Sequence, residues 1–145
     1  MQKHHIDTSV IVEPEKTEDG RHCQKYLNKE RDYIQGVVSL PVLGELYLLL
    51  LRMNNIEKMY AFQENIIHLT RIHKLSFYTP TIENIKIQKF ISVIDNRIDA
   101  IDREILACAI EDKASYLVTL DKKLIGNKKI VSAFNIKICH PRDLL

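Results

Sequence analysis

A chain of 145 residues is one domain's length with enough apolar material for a core, which excludes a disulfide-stapled miniprotein. Its 46% hydrophobic and 28% charged residues exclude a disordered or collagen-like polymer. The net charge of +2, from 21 Lys+Arg against 19 Asp+Glu, does not by itself signal nucleic-acid binding. Gly20, Gly36, Gly44 and Gly126 are too dispersed for a Walker loop or a dinucleotide fingerprint. Cys23, Cys108 and Cys139 are odd in number and form no Cys-x-x-Cys pair, which argues against a disulfide framework or zinc ribbon and for a reducing cytoplasm. The longest apolar run, Leu40 to Leu51, is interrupted by Glu45 and too short to cross a bilayer, and no signal-peptide apolar region opens the chain, so a soluble cytoplasmic protein is expected.

In chain order, His4 to Ile6 reads as a first strand that continues toward Val12, although its start is polar for a central strand. Thr17 to Glu30 reads as a helix with Cys23, Tyr26 and Leu27 on one side, and Tyr33 to Val38 as a β-branched strand. Ser39 is an N-cap signal and Pro41 a first-turn signal for a strongly apolar helix over Leu40 to Met53. Met59, Phe62, Ile66 and Leu69 recur at helical spacing within Ile56 to His73. Leu75 to Tyr78 is a short strand stopped by Pro80, and Thr81 is placed to cap a helix carrying Ile85, Ile87, Phe90, Ile91 and Ile94. Asp102 to Ala114 reads as a helix, Tyr116 to Thr119 as a buried strand, Lys128 to Phe134 as a short helix and Ile136 to Cys139 as a last strand. Strands separated by long helical segments require crossovers, so the expectation is one domain over residues 1–145, α/β in class, with a parallel sheet between two helical layers.

Ligands of such sheets gather at the carboxyl ends of the strands. Asp7 follows the first strand in Ile6-Asp7-Thr8-Ser9, and Asp121 follows Tyr116-Leu117-Val118-Thr119-Leu120. Singly, each is more often a turn or cap residue; as a pair they point to chemistry. Glu45 lies among apolar neighbours in the helix from Leu40, where a buried carboxylate is costly unless it pairs, with Arg52 for example, or meets a cation. Asp102 opens Asp102-Arg103-Glu104-Ile105-Leu106-Ala107-Cys108-Ala109 as a cap or a ligand, and Asp99 is placed to share its role. Four converging acids need raised pKa values or divalent cations to relieve their repulsion. Oxygen ligands without His or Cys favour Mg²⁺ or Mn²⁺, ions suited to phosphodiester hydrolysis.

These landmarks resemble the PIN domain, the metal-dependent ribonuclease fold of VapC-type toxins: Ile6-Asp7-Thr8-Ser9, then Glu45 in an apolar helix, Asp102-x-x-Ile105-Leu106-Ala107-x-Ala109, and Leu117-Val118-Thr119-x-Asp121. The resemblance spans nearly the whole chain. It implies that Asp7, Glu45, Asp102 and Asp121 hold the metal, with Ser9 and Thr119 as supporting hydroxyls. It also implies a five-stranded parallel sheet centred on the first strand, single-stranded RNA as substrate, homodimers, and in toxin members a small antitoxin that blocks the site. One departure bears on a second metal ion: many relatives carry an acid two residues after the Thr-x-Asp aspartate, where this chain has Lys123.

Aromatic residues are scattered and Trp is absent, so RNA would be held mainly through its phosphates, with Arg103, Lys122, Lys123, Lys128 and Lys129 flanking the acids in sequence. His4, His5, His22, His68, His73 and His140 show no i, i+4 metal pair and are read as ordinary core or surface residues, and Cys108 as a small core hydrophobe. Two rival readings are a catalytically silent PIN-like module that binds RNA or a protein, and a phosphoacceptor domain. The second expects a lysine at the end of the last strand, where Cys139-His140-Pro141 stands.

Overall fold

The computed structural model describes residues 1–29, 32–72 and 75–145. Glu30, His73 and their neighbours, where two expected helices end, lie outside the described residues. Five parallel strands form a single sheet in the order β3-β2-β1-β4-β5: β1 (Gln2–Ile6), β2 (Ile34–Ser39), β3 (Ser76–Tyr78), β4 (Tyr116–Val118) and β5 (Lys137–Cys139). The helices are α1 (Thr8–Val12), α2 (Glu18–Asn28), α3 (Leu40–Met53), α4 (Ile56–Ile72), α5 (Glu83–Ile94), α6 (Ala100–Glu111) and α7 (Lys128–Phe134), with a closing 3-10 turn at Pro141–Leu144. β1 is central, pairing His5 with Val37 of β2 on one side and with Leu117 of β4 on the other. The chain winds outward from β1 through β2 to β3, then returns to β1's other edge with β4 and β5. A crevice therefore opens between the carboxyl ends of β1 and β4, where the strand order reverses.

The polar start of β1 is accommodated by partners on both faces of the sheet. His4 is buried with its Nδ1 2.9 Å from the Tyr26 hydroxyl on α2. His5 faces the opposite way, as alternation along a strand requires, and its Nε2 lies 2.9 Å from Oδ2 of Asp112, whose Oδ1 accepts from Lys3 Nζ at 2.7 Å. Burial lowers the His5 pKa against the opposing pull of Asp112.

Several element boundaries differ from expectation. β1 ends at Ile6, and the β-branched run after Asp7 turns into α1, where Val10 and Ile11 are buried in the core; that burial outweighs their strand propensity. α6 runs from Ala100 to Glu111 with Asp99 at its N-cap, so Asp102 is inside the first turn rather than at the start. Thr119 lies just beyond β4. Thr81 Oγ1 accepts from the Glu83 amide at 3.3 Å at the entry to α5, and also bonds Glu111 on α6. Cys108 is buried, and burial pushes its thiol up to about 12, as expected of an inert core residue.

α2 is pinned at its start by Thr17, whose Oγ1 accepts from the Gly20 amide at 2.9 Å. A Cβ at Gly20 would fall 1.8 Å from the Pro14 carbonyl oxygen, so only glycine lets α2 enter beside that turn. Gly20→Ala is expected to destabilise the fold by about 2–3 kcal/mol, as overpacking against rigid backbone does, measured by urea unfolding.

Candidate active site

Two hydroxyls join the ends of β1 and β4. Ser9 Oγ donates to Asp7 Oδ2 at 2.7 Å and accepts from the Leu120 amide at 3.1 Å. Thr119 Oγ1 donates to the same oxygen at 2.8 Å and accepts from the Asp121 amide at 3.0 Å. Asp7 is buried at 6% exposure, and these bonds fix one face of its carboxylate while tying the backbone that carries Asp121 to it. Among the described residues no hydrogen bond falls on Asp7 Oδ1. Asp121 Oδ1 in turn accepts from the Lys123 amide at 2.8 Å, which holds the turn after β4.

Glu45 reaches the same edge from α3. It is half-buried, and its Oε1 accepts from Thr8 Oγ1 at 2.7 Å. Thr8, in the first turn of α1, is a site residue that sequence reasoning misses; its partner stands 37 positions away, a separation no local pattern reveals.

Asp102 reports on the whole group. Its carboxyl is pushed up to about 6, first by burial and then by the negative charges of Asp7, Asp121, Glu45 and Asp99. The structure thus brings Asp7, Glu45, Asp102 and Asp121 into one electrostatically coupled crevice. Asp99 contributes the weakest of the four charges and is exposed at the α6 N-cap. Among the described residues no three of these acids bring ligand oxygens within 4.8 Å of one another. The donor set is oxygen alone, which suits a hard divalent cation, and such an ion would relieve the repulsion that Asp102 records.

Directly after Asp121 in the chain, Lys122 and Lys123 join Arg97, Lys128 and Lys129 in lining a cavity of about 580 Å³, together with Asp95 and Asn127. Asp95 takes two bonds from the Arg97 guanidinium at 2.9 Å and one from Asn127 Nδ2 at 3.0 Å, so its charge is already matched. Four of the five basic residues singled out from sequence meet here. Arg103 does not line this cavity, and Arg97 takes its place.

An open, all-parallel α/β domain with acids gathered at its strand-order reversal, and with a basic hollow whose lining starts at the residue after Asp121, is a class of fold suited to polyanion chemistry. The chain belongs to the PIN domain family, whose sequence model matches residues 5–129. Among solved structures it is similar to a chain of VapBC2 from Rickettsia felis bound to a promoter DNA fragment, at 16% identity over 95% of this chain and 98% of that chain, with a TM-score of 0.67. It is similar to a chain of FitAcB from Neisseria gonorrhoeae, at 18% identity over 95% and 97%, with a TM-score of 0.68. A third similar structure is Mycobacterium tuberculosis VapC20, a sarcin-ricin loop cleaving toxin, at 16% identity over 90% and 95%, with a TM-score of 0.61. At these identities the likeness is one of fold. No curated protein matches the chain significantly in sequence.

Proposed function

We propose that this chain is a Mg²⁺- or Mn²⁺-dependent endoribonuclease acting on single-stranded RNA, and the toxin of a toxin-antitoxin pair. The observation that carries this reading is the coupling of Asp102 to Asp7, Asp121 and Glu45 at the reversal crevice of a PIN domain. Asp7, Glu45, Asp102 and Asp121 are the residues that would hold the metal. When bound, such an ion lowers the pKa of a water and offsets charge on the leaving oxygen. Ser9 and Thr119 fix Asp7 and Thr8 fixes Glu45, so these two acids are oriented before any ligand arrives. The basic hollow next to Asp121 takes the RNA backbone, with Lys122 and Lys123 nearest the acids in the chain.

Protein partners are supported by apolar surface left uncovered. Tyr47, Leu51, Ile56 and Tyr60 are exposed along α3 and α4, which enclose two hollows of about 300 Å³ each. Ile82, Phe90 and Val93 are exposed at α5. Surfaces of this kind suit a small antitoxin and a second copy of the chain.

The test is incubation of single-stranded RNAs with the purified chain and Mg²⁺ or Mn²⁺, with chelation as the control. Metal-dependent cleavage is expected. RNA bound but uncut with either ion would replace the enzyme with a silent RNA-binding module, the reading that Lys123 at an often acidic position would then favour. Lys122→Ala with Lys123→Ala is expected to weaken RNA binding and to flatten the slope of log affinity on log salt by about 0.7 for each phosphate that is no longer neutralised. Fluorescence anisotropy across a salt series measures this, and an unchanged slope would remove the hollow from the RNA path.

A further inference from the structure

Where the start of α2 meets the turn after β5, a second group of ligand-type side chains converges. Asp19 and His22 lie one helical turn apart at the start of α2, and His140 follows β5. One ligand atom from each lies within 4.8 Å of the other two, and among the described residues no other three His, Cys, Asp or Glu side chains meet so closely. His140 is buried, its Nε2 is 2.9 Å from Asp19 Oδ1, and its ring stands edge-on to His22 at 5.9 Å between centroids. His22 Nδ1 is itself shielded from solvent and has no hydrogen-bond partner. A shielded ring nitrogen without a partner calls for a ligand.

We infer that Asp19, His22 and His140 form a binding site for a divalent cation of the Zn²⁺ class. Two imidazoles and one carboxylate select zinc-like ions over Mg²⁺ or Mn²⁺, the reverse of the all-oxygen crevice. Three protein ligands leave a fourth tetrahedral position for water. The site ties the C-terminal turn to α2 and stands independently of the nuclease reading.

Occupancy requires a proton to move. His140 Nδ1 accepts from the Arg142 backbone amide at 3.1 Å, so the ring proton of the neutral imidazole sits on Nε2 and is donated to Asp19. Coordination through Nε2 sends that proton, by way of solvent, to Nδ1. The Arg142 amide then loses its acceptor, and the Asp19 carboxylate turns from the ring to the ion. Metal binding is thereby coupled to the Pro141–Leu144 turn that this amide helps to close.

The experiment titrates Co²⁺, and then Zn²⁺, into the tag-free chain in the presence of excess Mg²⁺. A single equivalent of Co²⁺ is expected to develop the visible band of a tetrahedral centre and to be displaced by Zn²⁺. His22→Ala and Asp19→Asn should each weaken binding by more than about 100-fold, beyond what loss of an outer-sphere partner costs. Asp19→Asn retains an acceptor for His140, so the fold survives, and circular dichroism checks this. Asp7→Asn should bind Co²⁺ as the native chain does. In ¹⁵N-labelled protein the Arg142 amide resonance should move on Zn²⁺ saturation. No saturable Co²⁺ binding, native affinity in both variants, a static Arg142 amide, or an intense thiolate charge-transfer band that places the ion on cysteine would each overturn the site.

Discussion

Asp7→Asn is expected to reduce RNA cleavage by more than about 100-fold and to abolish saturable Mn²⁺ binding at the crevice, with the fold intact. Both hydroxyl bonds to this carboxylate fall on Oδ2, from Ser9 and Thr119. Because both partners donate, an asparagine would satisfy them only with its carbonyl oxygen, and its NH₂ group would then occupy the Oδ1 position. An N–H donor would face the other acids where a cation needs a lone pair. The loss should exceed the 10–100-fold that removal of an outer partner costs, which is the range expected for Ser9→Ala and Thr119→Val. Single-turnover cleavage of labelled RNA together with Mn²⁺ titration measures both effects. Native cleavage and native metal affinity in Asp7→Asn would remove Asp7 from the site.

How much of the fold and site is legible in sequence depends on the range of the interactions involved. α3 and α7 occupy the expected spans because local signals bound them: Pro41 sits in the first turn of α3, whose N-cap position Ser39 takes without a side-chain cap bond, Asn54 closes α3 in the left-handed conformation, and Asn127 caps α7 by accepting from the Ile130 amide. Asp7 and Asp121 are legible because each follows closely on a strand, and a parallel sheet leaves its strand ends at one edge. Val10 and Ile11 mislead because β-branched residues favour strands, and only the packing of α1 against the core decides otherwise. His4 and His5 have partners 22 and 107 positions away, and Thr8 reaches Glu45 across 37. For the same reason no spacing pattern reveals His140 meeting Asp19 across 121 positions. Arg97 is invisible in sequence because its place beside the lysines depends on the fold bringing Asp95, which it pairs with, against Asn127.

The crevice should also cost the metal-free protein stability, in a pH window that Asp102 sets. Its folded carboxyl lies near 6, above the ordinary 3.8, so the folded state binds a proton more tightly than the unfolded chain. For an acid raised in this way, the folded state is relatively favoured below about 3.8 and loses that advantage as pH rises to about 6. Above that window Asp102 is charged among Asp7, Asp121 and Glu45. After allowance for solvent screening of a half-buried group, the penalty is roughly 1–2 kcal/mol. Asp102→Asn is therefore expected to raise the melting temperature of the chelator-treated protein at pH 8 by several degrees and to leave it nearly unchanged at pH 4, as about 1 kcal/mol shifts a domain of this size by roughly 2–8 °C. Mg²⁺ or Mn²⁺ should reverse the ranking at pH 8, because only the native carboxylate gains from the ion, and metal uptake near pH 6 should release a proton from Asp102. Calorimetric titration in buffers of different ionisation enthalpy reads that proton directly. A variant no more stable than native at pH 8 without metal would show that Asp102 does not sit against the other acids, and the nuclease site would have to be sought without it.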